Sequence, residues 1–198
     1  MKIYDISQEV FGCVVFPGDP KPECTKLAQM AEGSPYNLTA FGMCAHNGTH
    51  VDAPSHFIAE GKSIDEISLK NFVGPAFVAE HDGEITGEDA IAVLERARET
   101  GSKAGKRILM KGKAVLSEEA ASVFAEAGIL LYGNESQTVG PEDAPMAVHQ
   151  KMLGAEIVLL EGIRLTEVPE GVYFLNAAPI NLGEAEGAPC RAILIEGI

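Results

Sequence analysis

Residues 46–56 read His46-Asn47-Gly48-Thr49-His50-Val51-Asp52-Ala53-Pro54-Ser55-His56. Three of the chain's five histidines fall in this stretch, with an aspartate among them. Imidazole and carboxylate bind transition metals, and imidazole also moves protons near neutral pH. Gly48 between His46 and His50, and Pro54 shortly after, disfavour a helix. Thr49 and Val51 are β-branched and favour extended chain. Side chains of extended chain alternate between two faces, so His46, His50, Asp52 and, further along, His56 would share one face. Gly48 lies on that face and leaves room for an ion. The set suits zinc, and also manganese or iron. The competing reading is three unrelated surface histidines and a solvated aspartate; the alternation favours the metal site.

Other residues of the same chemistry are scattered. His81 sits in the polar run Glu80-His81-Asp82-Gly83-Glu84 and reads as a solvated surface histidine. His149, in Met146-Ala147-Val148-His149-Gln150, reads on its own as a packed helix histidine with one hydrogen bond. Glu161 follows the apolar run Ile157-Val158-Leu159-Leu160. A carboxylate at the C-terminal end of a buried strand is placed either for a ligand site or as a loop acid at the sheet edge. Asn134-Glu135-Ser136 follows another apolar run and borders the same end without an assigned role. Ser55 lacks the glycine pattern of a nucleophile elbow and is rejected as a nucleophile.

The elements that must carry these residues follow from periodicity. Short strands are expected over residues 3–6 and 36–41, with a loop over 14–22 around Pro17-Gly18-Asp19-Pro20. Further strands are expected at 76–79, 107–110, 129–132, 157–160, 173–175 and 192–195. Thr86 should cap a helix over 88–99, with Ile91, Val93, Leu94 and Ala97 as its apolar stripe. Ser117 should cap a second helix ending at Gly128, and Pro141 should start a third running to about Leu153. Strands alternating with helices from residue 76 onward argue for an α/β domain. The N-terminal third has strands without helices, which predicts a mixed sheet or a second β-layer there.

Size and composition bound the answer. The 198 residues suffice for one domain with a sizeable core, and 46% are apolar. No apolar run approaches a membrane span. Residues 1–5 carry an acid and no signal-peptide core, so a cytoplasmic location is expected. The formal charge of −14 excludes the lysine and arginine excess that nucleic-acid binding needs. Cys13, Cys24, Cys44 and Cys190 form no CxxC pair, so a zinc ribbon is unsupported. They are expected reduced and packed as small apolar residues, with Cys44 near the site.

The run from His46 through Phe57 resembles the HxGTHxDxPxHF motif of the metal-dependent cyclase family, which includes the bacterial kynurenine formamidases and isatin hydrolases. The resemblance extends over nearly the whole chain. It begins at Tyr4-Asp5-Ile6-Ser7, takes in Phe16-Pro17-Gly18-Asp19, and ends near Gly187-Ala188-Pro189-Cys190-Arg191-Ala192. It implies a single α/β domain over residues 1–198, a mixed sheet layered with helices plus a second β-layer from the N-terminal third, swivelling β/β/α-like. His46, His50 and Asp52 match the first-metal ligands, with Asp52 also reaching a second ion. His149 and Glu161 match the second-metal histidine and the shared carboxylate, and His56 the proton donor and acceptor. Phe16 stands where the kynurenine formamidases carry a substrate-stacking tryptophan. The chain has no tryptophan, so the ring that remains offers less area.

The implied cofactor is a pair of divalent ions, zinc with manganese as the alternative, sharing an activated water. The implied activity is hydrolysis of a small amide, arylformamidase-like, on N-formylkynurenine or a related aryl formamide or cyclic amide. The alternative is a cyclase or lyase acting on a small carbonyl compound with the same ligands. A non-catalytic metal module ranks below both, because the cluster has no cysteine ligand and leaves open positions. Thr49 and Ser55 are candidates for orienting the imidazoles or for local turn bonding. The resemblance also implies a homodimer, with the N-terminal third and the Phe16 loop as candidate interface.

Overall fold

The unbroken apolar runs of the second half of the chain pair in parallel, as strands covered on both faces do. A computed structural model describes residues 1–101 and 103–197. In chain order its strands are β1 (Lys2–Asp5), β2 (Glu23–Ala28), β3 (Leu38–Gly42), β4 (His50–Asp52), β5 (Val73–Glu80), β6 (Gly83–Ile85), β7 (Arg107–Lys111), β8 (Ala114–Leu116), β9 (Leu131–Asn134), β10 (Val158–Glu161), β11 (Gly171–Asn176), β12 (Gly187–Pro189) and β13 (Ile193–Glu196). The α-helices are α1 (Gly87–Glu99), α2 (Glu118–Ala127) and α3 (Met146–Gly154).

One mixed sheet runs β1-β13-β11-β5-β7-β9-β10-β4-β12. Its centre, β5-β7-β9-β10, is parallel, and the flanking strands are antiparallel. Strand alternation sorts the core into two layers. Phe77, Ala79, Ile108, Met110, Tyr132 and Leu159 face the helices. Ala76, Val78, Leu109, Leu131, Val158 and Leu160 face the other way, onto a cluster that includes Ile6, Val51 and Leu194. The sheet curls, so that the chain leaving β1 meets the chain entering β4: Gln8 N donates to Thr49 Oγ1 at 2.9 Å. Ile6 O also accepts from Arg164 N, just past β10, at 2.9 Å. Among the described residues no helix is long and apolar enough to cross a membrane.

The first two helices begin where their caps dictate. Thr86 and Asp89 form a reciprocal capping box on α1, and Ser117 accepts from Ala120 N on α2. Gly128 takes the left-handed conformation that stops α2. Ala90, rather than Ile91, completes the buried stripe of α1, and Ile91 is exposed.

The third helix departs from expectation. It begins at Met146, not Pro141, and residues 141–144 close a turn through Ala144 N to Pro141 O at 3.1 Å. Pro145 explains the difference. It keeps Ala144 out of the helical region and has no N–H to bond back to residue 141.

The N-terminal third divides. β1 and β4 join the large sheet, whereas β2 and β3 form a separate antiparallel hairpin. Most of that hairpin is solvent-facing, including Leu27, Leu38 and Phe41. Cys24 is exposed on it rather than packed.

Candidate active site

The expected extended run over 46–56 is extended only from His50 to Asp52. Before it, residues 46–49 turn, with Gly48 at φ +67°. After it, Pro54–His56 forms a single 3-10 turn started by the proline. Three local structures therefore deliver these side chains. Alternation on β4 points His50 and Asp52 to the helix side while Val51 enters the opposite core. The turn folds His46 back over Asp52, and the 3-10 turn lays His56 against His46, with ring centroids 4.1 Å apart.

β10 lies beside β4 with Leu159 opposite Asp52 and Glu161 opposite His50. Glu161 is thus the last residue of a strand rather than a loop acid, and it faces the helices beside His50. α3 supplies His149 from above. His50 Nε2 lies 3.3 Å from Asp52 Oδ1 and 3.4 Å from Glu161 Oε2. His149 Nε2 lies 3.1 Å from Glu161 Oε1 and 3.7 Å from Asp52 Oδ2. His46 Nδ1 lies 2.9 Å from Asp52 Oδ1. Two trios emerge, His46–His50–Asp52 and Asp52–His149–Glu161, with the ligating atoms of each within 4.8 Å of one another.

The far nitrogens are oriented by backbone. His50 Nδ1 donates to Gly48 O at 3.1 Å, and His149 Nδ1 donates to Pro145 O at 2.8 Å. Both assignments leave Nε2 facing the carboxylates as a lone pair when the ring is neutral. Gln137 Nε2 also donates to Gly48 O, at 2.9 Å, and Val139 N donates to Glu161 Oε1 at 2.9 Å.

Two buried, acidic side chains sit here with no lysine or arginine among the residues that line the cavity. The imidazoles supply the compensating charge. Burial alone would depress them, but contact with Asp52 and Glu161 outweighs it. His46, His50 and His149 are all raised above the usual histidine value, His50 to about 10. Burial likewise opposes ionisation of Asp52, yet the hydrogen bond from His46 and the charge of the adjoining His50 hold it well below the usual carboxylate range. His50 Nε2 and Asp52 Oδ2 are nonetheless buried without a hydrogen bond of normal geometry. Orphaned donor atoms among imidazoles and carboxylates fit a divalent cation, which would take the place of the protons.

His56 belongs to neither trio. Burial is the main reason that its pKa lies below the usual value, so its ring is neutral at neutral pH. It lines a cavity of about 250 Å³ together with Phe16, Phe57, Asp19 and Thr138. Phe57, which ends the motif that starts at His46, packs its ring 4.8 Å from His149. Cys44 lines the same cavity. Thr49 and Ser55 do not orient imidazoles. Thr49 Oγ1 donates to Gly162 O at 2.8 Å, and Ser55 Oγ makes no hydrogen bond among the described residues. Glu135 clamps loops instead of facing the cavity, its carboxylate accepting from Gly112 N and Leu165 N at 2.8 Å each. His81 lies apart, bonded to Glu84 O.

Comparison with known proteins agrees with this architecture. A family model described as "Putative cyclase" matches residues 4–141. A kynurenine formamidase of Salinibacter ruber is 34% identical over 209 residues, covering 98% of this chain and 97% of the relative. A structure described as a potential metal-dependent hydrolase with cyclase activity superposes with TM-score 0.81 at 28% identity, covering 98% and 96% of the two chains. Isatin hydrolase A from Labrenzia aggregata superposes with TM-score 0.83 at 23% identity, covering 99% and 94%, a likeness of fold.

Proposed function

The chain belongs to the cyclase family, and we propose that it is a metal-dependent hydrolase of small amides, arylformamidase-like in its chemistry. The observation that carries this reading is the convergence of three imidazoles and two carboxylates from β4, α3, β10 and the turn before β4 beside one aromatic-walled cavity. His46, His50 and Asp52 would hold one divalent ion, and Asp52, His149 and Glu161 a second. The ligand types favour zinc, with manganese as the alternative. A divalent ion in such a site supplies water acidified to near neutrality and an electrophilic contact for a carbonyl oxygen.

The chain's own residues do the rest. His56 is neutral, partly buried and adjacent to the ligand cluster, as a general base must be. It accepts a proton from the attacking water and returns it to the departing nitrogen. A carbon–oxygen bond forms, the carbon–nitrogen bond breaks, and the amine leaves neutral instead of as an unstable anion. Phe16 stacks the aryl group of the substrate. The kynurenine formamidase relative makes N-formylkynurenine or a related aryl formamide the first substrate to test.

The assembly proposed is a homodimer. The exposed apolar residues of the β2–β3 hairpin, with Phe11 packed edge-on to Phe41, support an interface there. Four free cysteines fit a reducing, cytoplasmic setting.

The test is a panel of N-formylkynurenine, formanilides, isatin, cyclic imides and lactones, offered to metal-reconstituted protein in ¹⁸O-water. Turnover of an aryl amide with one labelled oxygen in the acid product supports the proposal. Turnover without label overturns it in favour of cyclisation or elimination.

A further inference from the structure

A carboxylate outside both trios faces His46. Glu186 directly precedes β12, and its backbone carbonyl accepts from Ala53 N at 2.9 Å. β12 pairs with β4 in the register Gly187 opposite Asp52. That pairing anchors the Glu186 backbone one residue from the strand and brings its Oε1 to 3.2 Å from His46 Nε2. The other ring nitrogen, Nδ1, is the one beside Asp52. His46 is therefore held between two carboxylates, one inside the ligand cluster and one outside it.

The backing of His46 differs from that of the other two imidazoles. His50 and His149 each donate their far nitrogen to a neutral backbone carbonyl. His46 meets an ionisable side chain in that place. Gly187 completes the cradle. A Cβ there would lie 2.8 Å from His46 Cε1 and 2.8 Å from Val51 O, so this position admits the imidazole because it lacks a side chain. Glu186 is about half exposed, so replacing it disturbs no core packing.

We propose that Glu186 is a positioning residue for the metal centre. It accepts a hydrogen bond from His46 Nε2–H, fixes the tautomer with the proton on Nε2, and turns the Nδ1 lone pair toward the ion. The inference rests on the reading of His46 as a metal ligand. A carboxylate behind a ligating imidazole raises the ligand's basicity as well as aiming it, and loss of such a partner weakens metal binding roughly 10–100-fold.

The experiment compares parent protein with Glu186→Ala, Glu186→Gln and the exposed control Glu60→Ala. Cobalt and zinc affinities are read by competition with a chromophoric chelator, and the cobalt d–d absorption spectrum reports the ligand field. Glu186→Ala should lose about 10–100-fold in affinity with an altered cobalt spectrum. Glu186→Gln, which keeps an acceptor oxygen, should recover most of that loss, and Glu60→Ala should match the parent. An unchanged affinity and spectrum in Glu186→Ala overturns the proposal. So does an equal loss in Glu60→Ala, which would point to overall charge. Absence of metal binding in the parent itself would instead refute the metal-centre reading.

Discussion

His149 Nε2 lies 3.1 Å from Glu161 Oε1, although one residue rides a helix and the other ends a strand twelve positions later. The contact depends on α3 packing against β10, whose last residue is Glu161. Val139 N holds the same carboxylate oxygen from a third direction at 2.9 Å. Glu161 is therefore fixed in place, with Oε2 beside His50 and Oε1 beside His149. Glu161→Gln keeps the shape and an acceptor for Val139 N but removes the charge. It should weaken metal binding at least tenfold and lower kcat/KM by about 100-fold, equivalent to roughly 2.7 kcal/mol of lost transition-state stabilisation. Steady-state kinetics beside metal titration checks this, and parent-like values for both would contradict it.

His56→Ala should separate binding from chemistry. The ring stacks on His46 but belongs to neither ligand trio. The variant should retain its metal content, measured by elemental analysis, while turnover falls by about 10²–10⁴, the span of a lost general acid–base group. Full turnover would remove the role assigned to His56.

The pH dependence has a definite sign. Burial disfavours the charged ring and lowers the His56 pKa in the folded protein. In the window between that lowered value and the unperturbed value of about 6.5 the unfolded chain binds more protons than the folded one. The contribution of His56 to stability is therefore complete above about pH 6.5 and is lost as pH falls through the folded value. The proposed mechanism uses the same neutral ring as base. With metal in excess, log kcat/KM, which reports the free enzyme, should rise with pH through an acid limb whose midpoint lies below about 6.5, and this limb should vanish in His56→Ala. A midpoint above that value would count against the assignment.

Much of this site is legible in the residues because its strand positions obey local rules. His50 and Asp52 share a face by alternation, and the apolar run before Glu161 identifies a buried strand end. His46 belongs to the same cluster through a different geometry, since a turn at Gly48 replaces the extended chain that alternation assumes. The start of α3 is misread when Pro141 is taken as a first helical residue without weighing Pro145, four positions on. The β2–β3 hairpin buries neither face, so it offers no burial period to read. Glu186 is invisible locally. Its place beside His46 follows from the register of β12 on β4, a pairing of segments more than 130 positions apart, and an acid before Gly-Ala-Pro otherwise reads as a loop residue. The one local hint is Gly187, whose missing side chain makes room for the imidazole.

Gly187→Ala places a methyl group 2.8 Å from both His46 Cε1 and Val51 O. Backbone cannot yield as a flexible side chain would, so the variant should lose about 1–3 kcal/mol of stability, in the range of overpacked sites. It should also displace His46 and weaken metal binding. Thermal denaturation with metal titration tests both effects, and a parent-like melting temperature would show that the cradle is looser than described.

The measurement closest to the centre of this account is hydrolysis of an aryl formamide before and after metal removal, with bound metal counted in each state. Chelator-treated, dialysed protein should be inactive, and zinc or manganese should restore turnover in proportion to the ions taken up. Undiminished hydrolysis by protein shown to contain no divalent ion would contradict the account.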